Sequence, residues 1–246
     1  MYKAVKKLAL TVVPKRFLLK NELFFRSLFA INYRGKNHTC NICTHSLKRF
    51  IVIDDGDVLC PFCGSRARTR RLYDILTTEK LLSGRILHFS PSRSLYRVLS
   101  KEKSIDYVST DFEDEFIATH RYDITAIDCP DNSFDLIICY HILEHIEDDS
   151  AAMRELFRVL KPGGTCLVQT PFKEGTDVYE DFSITSKEGR LKAFGQDDHV
   201  RIYSVNGLLQ RLKTNKFTVS KQKEFKEDTR LGFTPETVLF LKKPVS

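Results

Sequence analysis

The sequence predicts an α/β fold: a mostly parallel sheet with helices on its faces, preceded by a small cysteine-bearing module and a basic leading segment. Three observations predict it. Residues 134–170 read as strand, helix, tight turn and strand, which makes two parallel neighbours joined by a right-handed crossover. Two Cys-x2-Cys pairs, Cys40/Cys43 and Cys60/Cys63, are separated by sixteen residues. Further short apolar runs, one of them ending in an acid at Asp111, flank the central unit. With 246 residues, 42% of them hydrophobic, the chain can bury one full core plus a small appendage.

The leading segment, residues 1–35, alternates apolar and basic side chains, and Pro14 divides it. Lys15 to Ile31 has the pattern of an amphipathic helix at a membrane interface, with Lys15, Arg16, Lys20 and Arg26 towards headgroups. The alternative is a helix packed on the protein body or on a partner. The apolar run before Pro14 is too short for a secretory signal, and no stretch reaches the roughly 20 apolar residues of a membrane span. The expected location is the cytoplasm, with peripheral contact at the inner membrane face through residues 1–31.

Residues 36–82 hold the cysteines and a connecting helix. Cys40, Cys43, Cys60 and Cys63 have the spacing of a four-thiolate zinc site, each pair on a knuckle turn. The stretch between them reads as a hairpin turning at Asp54-Asp55-Gly56-Asp57. Four thiolates leave no open position for water, so the expected zinc is structural. Disulfides are the alternative, disfavoured in a chain with no export signal. Arg66, Arg68, Arg70 and Arg71 follow at once. They either grip a phosphate or carboxylate, or pair with acids of the following domain. Charge is lopsided: 17 basic against 6 acidic side chains in residues 1–85, and 22 against 26 in 86–246. The first third therefore suits an acidic partner or simply a solvated basic surface.

In the third region, 83–246, Arg85–Phe89 reads as the first strand, Ser94–Leu99 as a helix and Ile105–Asp111 as the second strand. Tyr122–Thr125 ends a third strand. Asp135–Tyr140 is the buried fourth, and Glu144 and His145 begin the next helix. That helix has Asp148 and Asp149 early in it and Ala152, Leu156, Val159 and Leu160 on one face. Pro162-Gly163-Gly164 stops it before the strand Thr165–Thr170. Residues 171–201 have little apolar periodicity but several aromatics, which argues for a structured lid. A helix over Ser204–Thr214 and strands over Phe217–Phe225 and Thr237–Lys242 follow, the last strand inserted antiparallel.

The run from Phe134-Asp-Leu-Ile-Ile138 through His141-Ile-Leu-Glu-His145 to Arg158-Val-Leu-Lys-Pro-Gly-Gly164 resembles the class I S-adenosylmethionine-dependent methyltransferases of type 11. Together with Cys40-Asn-Ile-Cys43 and Cys60-Pro-Phe-Cys-Gly-Ser-Arg66, it resembles members of that family with an N-terminal zinc-ribbon extension. The resemblance implies a Rossmann-like seven-stranded methyltransferase sheet, mostly parallel with the last strand antiparallel, and S-adenosyl-L-methionine as cofactor. His88, Ser90 and Ser92 stand where the family has an acid and a glycine-rich loop. Here the turn has no glycine, and its backbone and the helix start would face the cofactor carboxylate. Asp111 would take the ribose hydroxyls, and Asp123 and Ile124 the adenine. Tyr140 and His141 would stand at the strand end where the cofactor binds. Either aspartate can alternatively cap a turn.

Asp177–Asp181 and Phe194–Arg201 resemble a loop pair of the zinc-ribbon subgroup, which nominates Tyr179, Asp181, His199 and Arg201 as substrate residues. His199 or His141 would be the catalytic base, needed only for a hydroxyl acceptor. His199 can equally just order the loop. His141-x2-Glu144-His145 also matches an inverted zinc-protease pattern, which requires a helix there and a third ligand downstream. The expected acceptor is an oxygen or nitrogen of a small molecule or of a glycan- or lipid-linked intermediate. The rivals are an RNA methyltransferase that uses the ribbon and basic residues to hold phosphates, and an inactive binding protein with a degenerate cofactor loop.

Overall fold

In the computed structural model the described residues are Phe17, 21–53, 56–113 and 115–245. The chain forms two compact units. One runs to Asp74 and includes Glu227–Thr234; the other comprises Ile75–Lys226 and Pro235 onward. Of the basic residues expected at headgroups, Lys15, Arg16 and Lys20 lie outside the described residues, and Arg26 pairs with Glu22 at 2.7 Å.

In the first unit, helix α1 (Glu22–Ala30) leads through a short 3-10 turn to β1 (Arg34–Thr39), which pairs antiparallel with β2 (Ser46–Leu47). The expected hairpin is β3 (Ile51–Val52) with β4 (Val58–Leu59); Ile53 N–H donates to Asp57 O at 2.9 Å across its turn. Asp54 and Asp55, at the tip, lie outside the described residues. A small core of Tyr33, Ile51 and Leu59 fills this unit. Helix α2 (Ala67–Thr78) follows, and the boundary between the units falls within it.

Three of the four clustered arginines have partners inside the first unit. Arg66 Nε bonds Asp57 Oδ2 at 2.6 Å. Arg70 is fully buried and donates to the carbonyls of Ser65, Val58, Leu231 and Gly232, with its guanidinium 4.2 Å from the centre of the Phe50 ring. The Arg71 guanidinium lies 4.0 Å over Phe233. A buried guanidinium must satisfy its donors locally, and backbone carbonyls supply most of that need here.

The second unit runs, in order, through β5 (Gly84–Phe89), α3 (Arg93–Leu99), β6 (Ile105–Thr110), β7 (Phe134–Tyr140), α4 (Asp149–Val159) and β8 (Leu160–Gln169). It continues through β9 (Val178–Glu180), α5 (Lys187–Phe194), β10 (Arg201–Tyr203), α6 (Val205–Thr214), β11 (Thr218–Phe225) and β12 (Glu236–Lys242). Six of these strands form one sheet, ordered β11-β12-β8-β7-β5-β6. β6, β5, β7 and β8 are parallel, and β12 runs antiparallel to both its neighbours, as expected of the last strand. Leu87, Phe134, Ile137, Met153, Leu156, Cys166, Leu208 and Leu239 are among the core residues.

Two expectations change. Among the described residues the sheet has six strands and not seven, because Tyr122–Thr125 makes only isolated bridges. The Thr119 and His120 amides bond back to Ser109 O, and Tyr122 N–H to Thr110 Oγ1, so this segment follows β6 without a ladder of its own. Nor does Pro162-Gly163-Gly164 stop α4. Leu160 already pairs with Phe134, and residues 161–164 bulge out before Thr165 pairs with Leu136. Gly163 takes φ 77°, where a side chain would be strained, and its N–H bonds Lys243 O at 2.8 Å.

The long loop is structured, as its aromatics suggested. β9 pairs antiparallel with β10, and α5 lies between them, capped by Ser186 and closed by Gly195.

Candidate active site

β5 has β6 on one side and β7 on the other, so successive strands are added first in one direction and then in the opposite one. Open parallel sheets bind ligands at the carboxyl ends of strands flanking such a reversal. The residues at that edge are those of the turns after β5, β6 and β7.

Ser90, at φ 45°, donates from Oγ to Asp111 Oδ1 at 2.7 Å. Asp111 is buried, and its Oδ2 accepts the amides of Glu115 and Phe116 at 2.7 and 3.1 Å. The structure therefore brings Ser90 and Asp111 together at the end of β6. Ser92 caps α3, accepting from Leu95 N–H. His88 is buried in β5 with its Nδ1 2.9 Å from the Tyr107 hydroxyl, and burial holds its pKa down to about 3. Asp123 Oδ1 accepts the Thr125 amide and hydroxyl at 2.8 and 2.7 Å, a turn cap, with Ile124 buried beside it. Tyr140 ends β7, and His141, at φ 55°, donates its backbone N–H to Gln169 O at 2.8 Å.

The fit to a nucleoside can be judged at Asp111. A carboxylate offers about four acceptor positions, and three are taken here. One of the three holds the Ser90 hydroxyl, a donor of the same kind as a ribose hydroxyl. Two of its bonds cap the following turn and one takes the Ser90 hydroxyl, which leaves about one acceptor position.

Next to this edge, Leu143–His145 forms a 3-10 turn, so the expected helix begins only at Asp149. Glu144 is 1% exposed, and His141 Nδ1 stands 3.3 Å from its Oε1. Burial pushes the Glu144 pKa up, but the neighbouring histidines outweigh burial and leave it below the usual carboxylate range. His145 Nδ1 stands 3.3 Å from Asp198 Oδ2, and its ring meets the His199 ring edge-on at 4.7 Å. Burial, then the neighbouring His145, lowers the His199 pKa, which favours a neutral ring. A cavity of about 240 Å³ opens here, lined by Glu144, Phe172, Lys173, Phe194, His199 and Arg201 among others. The inverted-protease pattern is not realised: residues 141–145 do not form an α-helix, and Glu144 itself joins the histidines.

Arg201, nominated as a fork for substrate, is 1% exposed and its donors are committed within the protein. It bonds Glu180 Oε2 at 2.9 Å and the carbonyls of Leu143, Ile146 and Glu147. It clamps the 143–147 turn. Tyr179 is 53% exposed, its ring 5.7 Å from that of Phe194. Asp181 accepts the Ser183 amide and hydroxyl. In the sequence Asp149 reads only as an early helix acid and Glu180 only as part of a loop, and Arg211 carries no signal, yet Arg211 joins the other two at 2.7 and 2.6 Å. No spacing rule links residues so far apart.

In the first unit, the sulfurs of Cys40 and Cys63, and those of Cys43 and Cys60, are 3.7 Å apart. All four sulfurs lie within 4.8 Å of one another. Zinc–thiolate bonds of about 2.3 Å give a tetrahedron with edges of roughly 3.8 Å, so the set fits. Each pair sits on a knuckle: Thr44 N–H donates to Cys40 O and Gly64 N–H to Cys60 O. His45 stacks on Phe62 and His38 bonds Thr229 O, so neither is needed as a ligand.

Residues 81–168 match the family described as methyltransferase domain. A probable S-adenosylmethionine-dependent methyltransferase of Mycolicibacterium smegmatis is 38% identical over 58 residues, 22% of this chain and 23% of that protein. The ubiquinone/menaquinone biosynthesis C-methyltransferase of Cronobacter sakazakii is 39% identical over 75 residues, 28% of this chain and 30% of its own. The chain thus spans less than a third of the length of either relative. Among solved structures, the Burkholderia thailandensis 1,6-didemethyltoxoflavin-N1-methyltransferase superposes with a TM-score of 0.51 at 14% identity, covering 73% of this chain and 79% of that one. No helix among the described residues is long and apolar enough to cross a membrane.

Proposed function

We infer that this chain, a member of the class I S-adenosylmethionine-dependent methyltransferases, transfers a methyl group to an oxygen or nitrogen of a small molecule or of a glycan- or lipid-linked intermediate. The reading is carried by the buried Asp111 carboxylate at the end of β6, which already takes a hydroxyl from Ser90. When bound, the cofactor supplies an activated methyl group on a good leaving group. The protein's part is then mostly positioning. Asp111 would hold the ribose, Asp123 and Ile124 would flank the adenine, and Tyr140 and His141 would stand at the reacting edge. The neighbouring cavity would hold the acceptor away from water, with His199 on its wall to take the proton of a hydroxyl acceptor. The four cysteines would hold one structural zinc ion, which adds to the small core of that unit.

A lipid-linked acceptor is supported by α1, where Leu23, Phe24 and Leu28 are about half exposed or more. RNA is the weaker reading, because Arg66, Arg70 and Arg71 are engaged within the first unit. Calorimetry with S-adenosylmethionine and S-adenosylhomocysteine tests the central point. One equivalent of each should bind, and no binding of either overturns the reading.

A further inference from the structure

We propose that Glu144, His145 and His199 form a divalent transition-metal site, separate from the four-cysteine cluster, that opens on the acceptor cavity. One donor atom from each of the three lies within 4.8 Å of the others. Two of the three side chains are almost wholly buried, Glu144 at 1% and His199 at 4% exposed. Neither Glu144 carboxylate oxygen accepts a hydrogen bond among the described residues, and His199 Nε2 has no partner among them. His141 Nδ1 stands 3.3 Å from Oε1 and favours its charged form, but it is not in hydrogen-bond geometry and does not reach Oε2. Leaving buried groups unsatisfied is costly, most of all for a charged one. A cation answers all three atoms at once.

The surroundings also fit. Asp198 stands 3.3 Å from His145 Nδ1, which favours a proton there and leaves the lone pair on Nε2. Ligating histidines are commonly oriented by such a carboxylate. The turn that carries Glu144 and His145 is fixed by Arg201 through three carbonyls, and Val200 N–H bonds Glu144 O at 2.9 Å. This last bond ties the His199 segment to the Glu144 turn. Two imidazoles and one carboxylate suit zinc, manganese, iron or cobalt better than magnesium or calcium, which prefer oxygen ligands. Three protein ligands leave open positions, and Glu144 and His199 both line the 240 Å³ cavity. Resting on the methyltransferase reading, those positions would take an acceptor oxygen, lower its pKa and aim it. His199 then serves as a ligand and not as a base, since its Nε2 lone pair is committed to the metal, and the metal-bound hydroxyl gives up its proton to water.

The test uses the full chain with its cysteine site loaded with zinc, titrated with Co²⁺ and followed by absorption and calorimetry. One further equivalent should bind, with the weak visible bands of nitrogen and oxygen ligation and without thiolate charge-transfer absorption. His199→Gln and Glu144→Gln should each weaken that binding at least about tenfold. S-adenosylhomocysteine binding by the same variants reports whether they are folded, and it separates failure of this site from failure of the cofactor reading. Absence of a second equivalent in the unaltered chain, or unchanged affinity in folded variants, overturns the proposal.

Discussion

A guanidinium that is 1% exposed must place its donors inside the protein, and Arg201 does so on one carboxylate and three carbonyls. Lysine cannot reproduce that fork. Arg201→Lys should therefore destabilise the protein by on the order of 2 kcal/mol, read as a lower denaturant midpoint, with faster hydrogen exchange in residues 143–147. His88 gives a pH dependence. Its folded pKa, about 3, lies below the unfolded value, so the unfolded chain binds the extra proton first. Its contribution is complete above about pH 6.5 and is lost as pH falls towards about 3, at up to roughly 1.4 kcal/mol per unit. His88→Phe should flatten the difference in unfolding midpoint between about pH 6.5 and about pH 4.5; an unchanged slope would contradict this. The sequence places His199 and Arg201 in a functional stretch, since aromatics and charges without periodicity mark a built loop. It does not separate ligand from clamp, because the partners Glu144 and Glu180 are distant in sequence.

At the scale of elements, the parallel strands are legible as apolar runs, since strands buried on both faces leave a continuous signature. The third strand is not legible in the same way: side-chain bonds to Thr110 and Asp123 stand in for its ladder. The glycine pair that reads as a helix stop is a bulge instead, because both roles ask for the same positive φ at Gly163. The knuckles are the clearest feature, as their spacing alone implies their geometry. Cys60→Ser should release about one zinc per chain and lower the melting temperature, measured by metal analysis and calorimetry. A zinc content unchanged from that of the unaltered chain would contradict the four-thiolate assignment.

For the molecule as a whole, residues 227–234 leave the sheet between β11 and β12 and complete the first unit. Gly232, at φ 64°, makes this possible, since a Cβ there would meet the Phe50 ring and the Arg70 guanidinium. Gly232→Ala should cost at least about 1 kcal/mol and loosen zinc, measured by the rate of metal release to a chelator. Nothing in local sequence marks that return, because it joins residues far apart along the chain. The proposed methyl transfer requires a nucleoside to lie across the carboxyl edge of the parallel strands, and a crystal structure with S-adenosylhomocysteine measures that directly. The ribose hydroxyls should lie on Asp111, with the Ser90 hydroxyl displaced or sharing the carboxylate. A ligand bound elsewhere, with the Ser90–Asp111 bond intact, would contradict it.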